Sequence, residues 1–329
     1  MKRMKRLATC GLAVVCAAAL LAVLAGCSSK EGYVPPEKEP TLSSPTIGKD
    51  GTLRVGVNAD SAPLAGQPNS SSKIIGIDVD IAAALADSFG LKLEIVDVGA
   101  DPAAALTEER VDIVLGIDKS DTEATFWKSE AYLPTGVALF AATADAAVPT
   151  NATAPAIAAQ VSSKSAWAVT NEFDQGAITT TDDLKGAFAA LESGQVQYVA
   201  ADAVIGAYAA HNAGDEVHVV ALMQQPSGYC AGVLDSKADL KQAVSDALAT
   251  LTGNGIISVI ETKWLGIALD LSTVPLTEGA TANKAAATAE PPATPAAEGD
   301  AAAEGEGKTP AESELEAGGN AVQPEDVAV

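Results

Sequence analysis

Gly51-Thr52-Leu53-Arg54-Val55-Gly56-Val57 decides the fold class, together with the two segments that follow it, Gly76-Ile77-Asp78-Val79-Asp80-Ile81-Ala82 and Leu91-Lys92-Leu93-Glu94-Ile95-Val96. Leu53 to Val57 is a short apolar, β-branched run behind Gly51, the pattern of a strand. Val79 to Phe89 carries apolar residues at helical spacing and stops at Gly90. Leu91 to Val96 alternates, with Leu91, Leu93 and Ile95 on one face of a second strand. Strand, helix, strand is the unit of an α/β fold with a mostly parallel sheet.

The alternation continues along the chain. Asp101 to Glu109 reads as a helix, and Val111 to Leu115 and Val137 to Ala141 as strands. After a polar Ala- and Thr-rich stretch come a helix at Thr181–Glu192, a strand at Val196–Ala200 and a helix at Val204–Ala210. Val217–Leu222 is a strand, and Leu240–Leu251 and Gly255–Lys263 are helices. In open α/β sheets ligands bind beyond the carboxyl ends of strands. The loops after Val57, Leu115 and Ala200 are therefore the places for a site.

The two ends of the chain differ from this region. Lys2, Arg3, Lys5 and Arg6 precede an apolar run from Leu7 to about Ala25, which ends in Leu24-Ala25-Gly26-Cys27. A basic start, an apolar middle and small residues before a cut site make a secretory signal peptide. A retained membrane helix is the rival reading, because roughly 20 apolar residues span a bilayer. Residues 27–49 are rich in Ser, Pro, Glu and Lys and read as a flexible tether. Residues 270–329 are Ala, Glu, Pro, Gly and Thr with almost no large apolar side chain, a composition expected to stay disordered.

The chain has 329 residues, 20 Lys and Arg against 43 Asp and Glu, and a formal net charge of -23. So acidic a chain is a poor nucleic-acid binder, which needs clustered basic residues. Of the four cysteines, Cys10, Cys16 and Cys27 lie at the N-terminus and only Cys230 is in the folded region, so no internal disulfide or cysteine cluster is available there. Cys230 reads either as a reactive thiol or as a small core residue. With only His211 and His218 as histidines, no metal site and no cofactor are expected.

The N-terminus resembles the lipobox of bacterial lipoproteins, whose cysteine receives a diacylglyceryl group; Cys27 is its counterpart here. The resemblance implies a signal peptide over 1–26, palmitate-type acylation at Cys27 and anchoring on the extracytoplasmic face of the cell membrane, which two chains stabilise where one does not. The folded region resembles the solute-binding proteins of ABC transporters, in particular the polar-amino-acid-binding family 3. Gly51–Val57 with Asp60 and Pro63 is similar to that family's opening strand and loop. Gly76–Ala82 is similar to its Gly-Phe-Asp-Val-Asp-Leu segment, and Leu106–Gly116 to its next helix and strand. Ser129 and Tyr132, Leu191–Val196 with Asp202, and Lys263-Trp264-Leu265-Gly266 follow in the family's order.

This resemblance implies a type II periplasmic-binding-protein fold: two α/β lobes, two crossover strands and a ligand cleft between the lobes. Lobe one is expected over 50–140 and 229–269 and lobe two over 141–228, with crossovers near Phe140 and Tyr229. Hinge closure over ligand, recognition by an ABC permease subunit and a monomeric chain are also implied. In the family an arginine after the fourth strand grips the ligand carboxylate bidentately, which a lysine does not reproduce. Here that position is Glu123 or Ala124, and the only arginines beyond the signal are Arg54 and Arg110. Leu64 and Ile77 replace aromatic residues of the family.

The remaining cleft candidates are Asp60, Asp118, Lys119, Ser120, Asp121 and Asp202, plus Ser163, Lys164 and Ser165 in a segment, Gln160–Ser165, that resembles the family's Gln-x-Gly-Thr/Ser loop. Carboxylates brought together need a cationic partner, so a polar or cationic, amino-acid-like ligand is expected, with Asp202 on its ammonium. The alternatives are that Asp118, Asp121 and Glu123 solvate a loop or cap a helix, and that Ser163 is a plain N-cap. At the level of function, the alternative to an importer receptor is a divergent binding or sensory module that has lost amino-acid binding. An enzyme related to cyclohexadienyl dehydratases would need converging acid and base groups, and no enzymatic activity is expected.

Overall fold

The first strand, β1 (Thr52–Val57), is buried along its length except at Arg54. A computed structural model describes residues 38–68 and 70–281, so Cys27 and the chain beyond Thr281 lie outside the described residues. After β1, the short strands β2 (Asp60–Ser61) and β3 (Ala65–Gly66) form a small ribbon. Helix α1 (Ile77–Ser88) follows and turns its Ile77, Ile81 and Leu85 inward. Its N-cap is Gly76 at φ 149°, where a Cβ would stand 2.2 Å from the Leu64 carbonyl oxygen, so glycine is required there.

Strand β4 (Lys92–Asp97) pairs parallel with β1. The short helix α2 (Pro102–Thr107) is capped by the Asp101 side chain and leads into β5 (Ile113–Asp118), parallel to the other side of β1. Strands β6 (Trp127–Lys128) and β7 (Leu133–Thr135) then complete what precedes the first crossover. Gly136 alone separates β7 from β8 (Val137–Ala141), which belongs to a second sheet. The chain continues through β9 (Ile157–Gln160), helix α3 (Lys164–Glu172), β10 (Ile178–Thr181) and helix α4 (Leu184–Glu192). Next come β11 (Tyr198–Asp202), helix α5 (Ala203–Ala213) and β12 (His218–Leu222). The return strand β13 (Ser227–Val233) and helices α6 (Ala238–Gly253) and α7 (Ile256–Leu265) close the fold.

The strand orders are β4-β1-β5-β13-β6, with β7 also on β13, and β10-β9-β11-β8-β12. Each sheet has a parallel half built from strand–helix–strand units and an antiparallel part contributed by the crossovers. This is a two-lobed α/β architecture. The first crossover lies at Thr135–Val137, not near Phe140 as the sequence suggested, because Val137 pairs with Asp202 and Phe140 with Val199 in the second sheet. Phe140 is 1 % exposed and meets Phe188 of α4 edge-on, with centroids 5.6 Å apart at 83°. Burying such a side chain contributes about 2–3 kcal/mol.

Two segments expected to be flexible are structured. Within the supposed tether, Ile47 is fully buried, the Thr41 N–H donates to the Phe89 carbonyl at 3.0 Å, and the Gly48 N–H donates to Asp112 Oδ1 at 2.8 Å. One buried isoleucine and two hydrogen bonds to lobe one outweigh the segment's polar composition. At the other end, residues 270–281 also pack. The Leu222 N–H donates to the Pro275 carbonyl and the Thr277 N–H to the Leu222 carbonyl, both at 2.9 Å. Glu172 at the end of α3 accepts from Thr277 Oγ1 and the Gly279 N–H, each at 2.8 Å. Thr277 is fully buried. The segment leaves α7, which packs on α1 and α6 of lobe one and on α5 of lobe two, and ends on β12 and α3 of lobe two. It is a strap between the lobes.

Several residues that carried the family resemblance prove structural. Asp80 Oδ2 accepts from Lys263 Nζ at 2.6 Å and from Trp264 Nε1 at 2.7 Å, joining α1 to α7. Arg54 Nη2 lies 2.7 Å from Asp112 Oδ1, and its Nη1 donates to the Glu109 carbonyl at 2.6 Å. Cys230 is fully buried, its Sγ donates to the Ile117 carbonyl at 3.2 Å, and burial pushes the thiol up to about 11. It is a core residue.

Candidate ligand cleft

Three strands end at one place. β5 ends in Asp118, β9 in Gln160 and β11 in Asp202, and all three residues line a cavity of about 430 Å³ between the two sheets. The crossovers add Thr135, Ser227 and Tyr229 to its wall. A larger hollow of about 780 Å³ lies between α5, β12 and the strap. It is not at the carboxyl ends of the parallel strands, so the smaller cavity is the candidate site.

Asp118 is held by its own loop. Its Oδ1 accepts from the Ser120 N–H at 2.8 Å, from Ser120 Oγ at 2.7 Å and from Ser227 Oγ at 3.4 Å. Its Oδ2 has no hydrogen bond among the described residues. Asp202 does two jobs on the opposite lobe. Its Oδ1 caps α5, accepting from the Val204 and Ile205 N–H groups at 2.9 and 3.1 Å. Its Oδ2 accepts from Thr135 Oγ1 at 2.6 Å. Burial raises its pKa above the usual carboxylate range; the hydrogen bonds from Thr135 and the α5 backbone oppose this, and Asp118 adds to it. Tyr229 is also pushed upward, by burial first and then by Asp202, Asp118 and Asp78, so it remains a neutral phenol.

Asp78 lies beneath the site. Tyr132 Oη donates to Asp78 Oδ1 at 2.6 Å and accepts from the Gly116 N–H at 2.7 Å. Gly116 has φ +75°, and a Cβ there would stand 2.5 Å from Asp78 Oδ2. The trio fixes the backbone at the end of β5, from which Asp118 projects. Burial pushes Asp78 up to about 7 despite the Tyr132 bond.

Of the expected site residues, Asp118, Ser120, Ser163, Lys164, Ser165 and Asp202 line the cavity. Asp60, Lys119 and Asp121 do not. Asp60 is exposed on the ribbon. Lys119 Nζ pairs with Glu130 at 2.5 Å, and Asp121 Oδ1 accepts from the Glu123 N–H at 2.8 Å while its carbonyl accepts from Lys128. Short-range partners hold Lys119 and Asp121 away from the cavity. Thr135, Gln224, Ser227 and Tyr229 were missed; their only signal was proximity to the crossovers.

The profile of the bacterial extracellular solute-binding proteins, family 3, matches residues 53–267. The chain belongs to this family. Among solved structures it is similar to an ancestral cationic amino acid solute-binding protein, at 24 % identity over 65 % of this chain and 96 % of that one, with a TM-score of 0.53. It is similar to a polar amino acid ABC uptake transporter substrate-binding protein from Streptococcus thermophilus, at 18 % identity over 68 % and 89 % of the two chains, TM-score 0.60. It is likewise similar to the L-cystine solute receptor of Neisseria gonorrhoeae in its unliganded open conformation, at 22 % identity over 67 % and 95 %, TM-score 0.56. These likenesses concern the fold. No curated protein matches the chain. In this solute-binding protein the strap, residues 270–281, lies beyond the family match.

Proposed function

We propose that this chain is the lipid-anchored, extracytoplasmic solute-binding component of an ABC importer, and that it captures a small polar or cationic, amino-acid-like ligand between its lobes. The observation that carries the reading is the pair of carboxylates, Asp118 from lobe one and Asp202 from lobe two, on the walls of one 430 Å³ cavity. Charge buried between the lobes needs a partner, and a ligand ammonium meets both walls at once. That contact favours the closed form, which an ABC permease would read. Family membership and the resemblance of Leu24–Cys27 to a lipobox support the transport role and the anchor at Cys27.

The test is a thermal-shift screen of the full chain against the twenty L-amino acids, diamines and short peptides. A true receptor gains several degrees near saturation, as mass action requires. A screen in which every compound leaves the melting temperature unchanged would sink the reading. The anchor is tested apart: Cys27→Ser should abolish radiolabelled palmitate incorporation and release the protein from membranes. A second reading, a divergent binding or sensory module without transport, is favoured by one observation: neither arginine of the described residues reaches the cavity, since Arg54 is tied to Asp112 and Arg110 to Glu108.

A further inference from the structure

The lobes are joined by more than their two crossovers. Those crossovers run side by side: a Cβ on Gly136 of the first would stand 3.6 Å from Pro226 Cα of the second. Two adjacent connections define a hinge and leave rotation about it free. The strap, residues 270–281, is a third connection, and it lies outside the family match.

Each end of the strap is fixed to a different lobe. On lobe one the residue before it, Leu269, is buried, and its N–H donates to the buried Glu261 carboxylate of α7. The same helix is held to α1 through Asp80, which accepts from both Lys263 and Trp264. On lobe two, Pro275 and Thr277 bracket Leu222 of β12, and Glu172 of α3 clamps Thr277 and Gly279. The clamp is close-packed: a Cβ on Gly279 would stand 2.6 Å from Glu172 Cδ, and Thr277 and Ala280 are both buried.

Between these anchors the strap is short and holds some slack. Only residues 270–274 separate Leu269 from Pro275, an interval that spans about 20 Å when fully extended. It is not fully extended, because Asp270 Oδ1 accepts from the Ser272 N–H at 3.0 Å and from Ser272 Oγ at 2.5 Å and folds the chain into a turn. Helices α5 and α7 touch across the lobes, but packed helices can slide. Beside that contact the hollow of about 780 Å³ keeps α5 and β12 of lobe two apart from residues 265–271 and Val274. Where the faces stand apart, packing does not limit their movement, and the covalent span across the gap does.

We propose that the strap is a hinge restraint: its ends are held by the Glu261 anchor on lobe one and the Glu172 clamp on lobe two, its slack is the turn at Asp270, and its length limits how far the lobes turn. The restraint acts whatever the cleft binds. It also tunes affinity from outside the cleft, because apparent affinity scales with the fraction of molecules whose lobe angle is competent to bind.

The test measures lobe separation in the full chain without ligand. Spin labels are carried on non-natural keto residues at two exposed helix positions, Ala83 of α1 and Ala189 of α4, so that no cysteine is altered. Pulsed electron spin resonance then reads the distribution of interlobe distances. Inserting Gly-Ser-Gly between Thr273 and Val274 removes no contact of either anchor and adds roughly 10 Å of span. The distribution should extend by several Å in the lengthened chain, and Glu172→Ala, which frees one end, should broaden it as well. A lengthened chain whose distribution matches the parent's overturns the proposal, and so does a parent distribution as broad as that of Glu172→Ala. A strap that only contributes stability would leave the lengthened chain's distances unmoved.

Discussion

Thr135 Oγ1 donates to Asp202 Oδ2 at 2.6 Å, so the last residue of the lobe-one crossover strand is tied to the residue that starts α5 in lobe two. On the same strand pair Thr135 is in register with Ser227, whose hydroxyl reaches Asp118. The two cleft carboxylates are thus joined through one Thr–Ser backbone pair at the hinge. A cation between them bears on the elements about which the lobes move.

Asp202 has a helix-capping role and a proposed ligand role, and one substitution separates them. Asparagine caps as well as aspartate, whereas alanine loses about 1 kcal/mol of cap. Asp202→Asn should therefore melt within a few degrees of the parent and bind its ligand at least tenfold more weakly. Asp202→Ala should lose both stability and affinity. Melting curves with calorimetry on the three proteins check this; equal affinity in the asparagine variant removes Asp202 from the ammonium.

Asp78 gives a pH dependence with a defined sign. Its folded value of about 7 lies above the roughly 3.9 of an unfolded aspartate. The folded protein then holds a proton that the unfolded chain has released, so this stabilisation is complete below about pH 4 and is lost as pH rises through 7. Glu261, 4 % exposed and also pushed up to about 7 by burial, acts in the same direction. Asp78→Asn keeps an acceptor for Tyr132 and removes the titration. Its melting temperature should fall less than the parent's between pH 4 and 8, and exceed it above pH 7. Parallel curves across that range would contradict the account.

Arg54 is assigned to the scaffold. Asp112 is 8 % exposed and takes both the Arg54 guanidinium and the Arg54 N–H, the latter at 2.9 Å. Arg54→Met takes the ion partner from that buried carboxylate and leaves it only the Gly48 and Arg54 N–H groups, at a cost of about 3 kcal/mol, the low end for breaking a buried pair. Denaturant unfolding should show the loss. Ligand affinity measured well below the melting temperature should be unchanged, because Arg54 does not reach the cavity.

The strap makes its own prediction. Glu172 accepts from Thr277 Oγ1 and the Gly279 N–H, so Glu172→Ala leaves the buried Thr277 hydroxyl and the Gly279 N–H without an acceptor, about 1–3 kcal/mol each. Hydrogen exchange should quicken at the Leu222, Thr277 and Gly279 amides while β1 and β5 stay protected. Unchanged exchange at Gly279 would show that Glu172 does not hold the segment.

The residues show what a sequence discloses here and what it does not. β1, α1 and β4 were legible because each carries its own period and a terminating glycine. β13 was not: Gly228 and Gly232 interrupt its apolar pattern, although a Cβ at either would strike Ala131 or Phe126, at 2.6 and 2.4 Å. β9 and β10 are Ala- and Thr-rich, a composition without strand character until neighbours bury it. The crossover was misplaced because β8 is apolar throughout and fits either sheet; its partners β11 and β12 are fixed only by tertiary pairing. In the cleft, Asp118 and Asp202 were readable from strand ends, while Asp60, Lys119 and Asp121 were indistinguishable from them until local partners were known.

The central claim is that two carboxylates from opposite lobes capture a cationic, amino-acid-like ligand. It is tested most directly by comparing the thermal-shift screen on the parent with the same screen on Asp118→Asn/Asp202→Asn. The account predicts that at least one cationic or polar amino acid raises the parent's melting temperature by several degrees and leaves the double variant's unmoved. No shift with any compound, or an equal shift in both proteins, would contradict it.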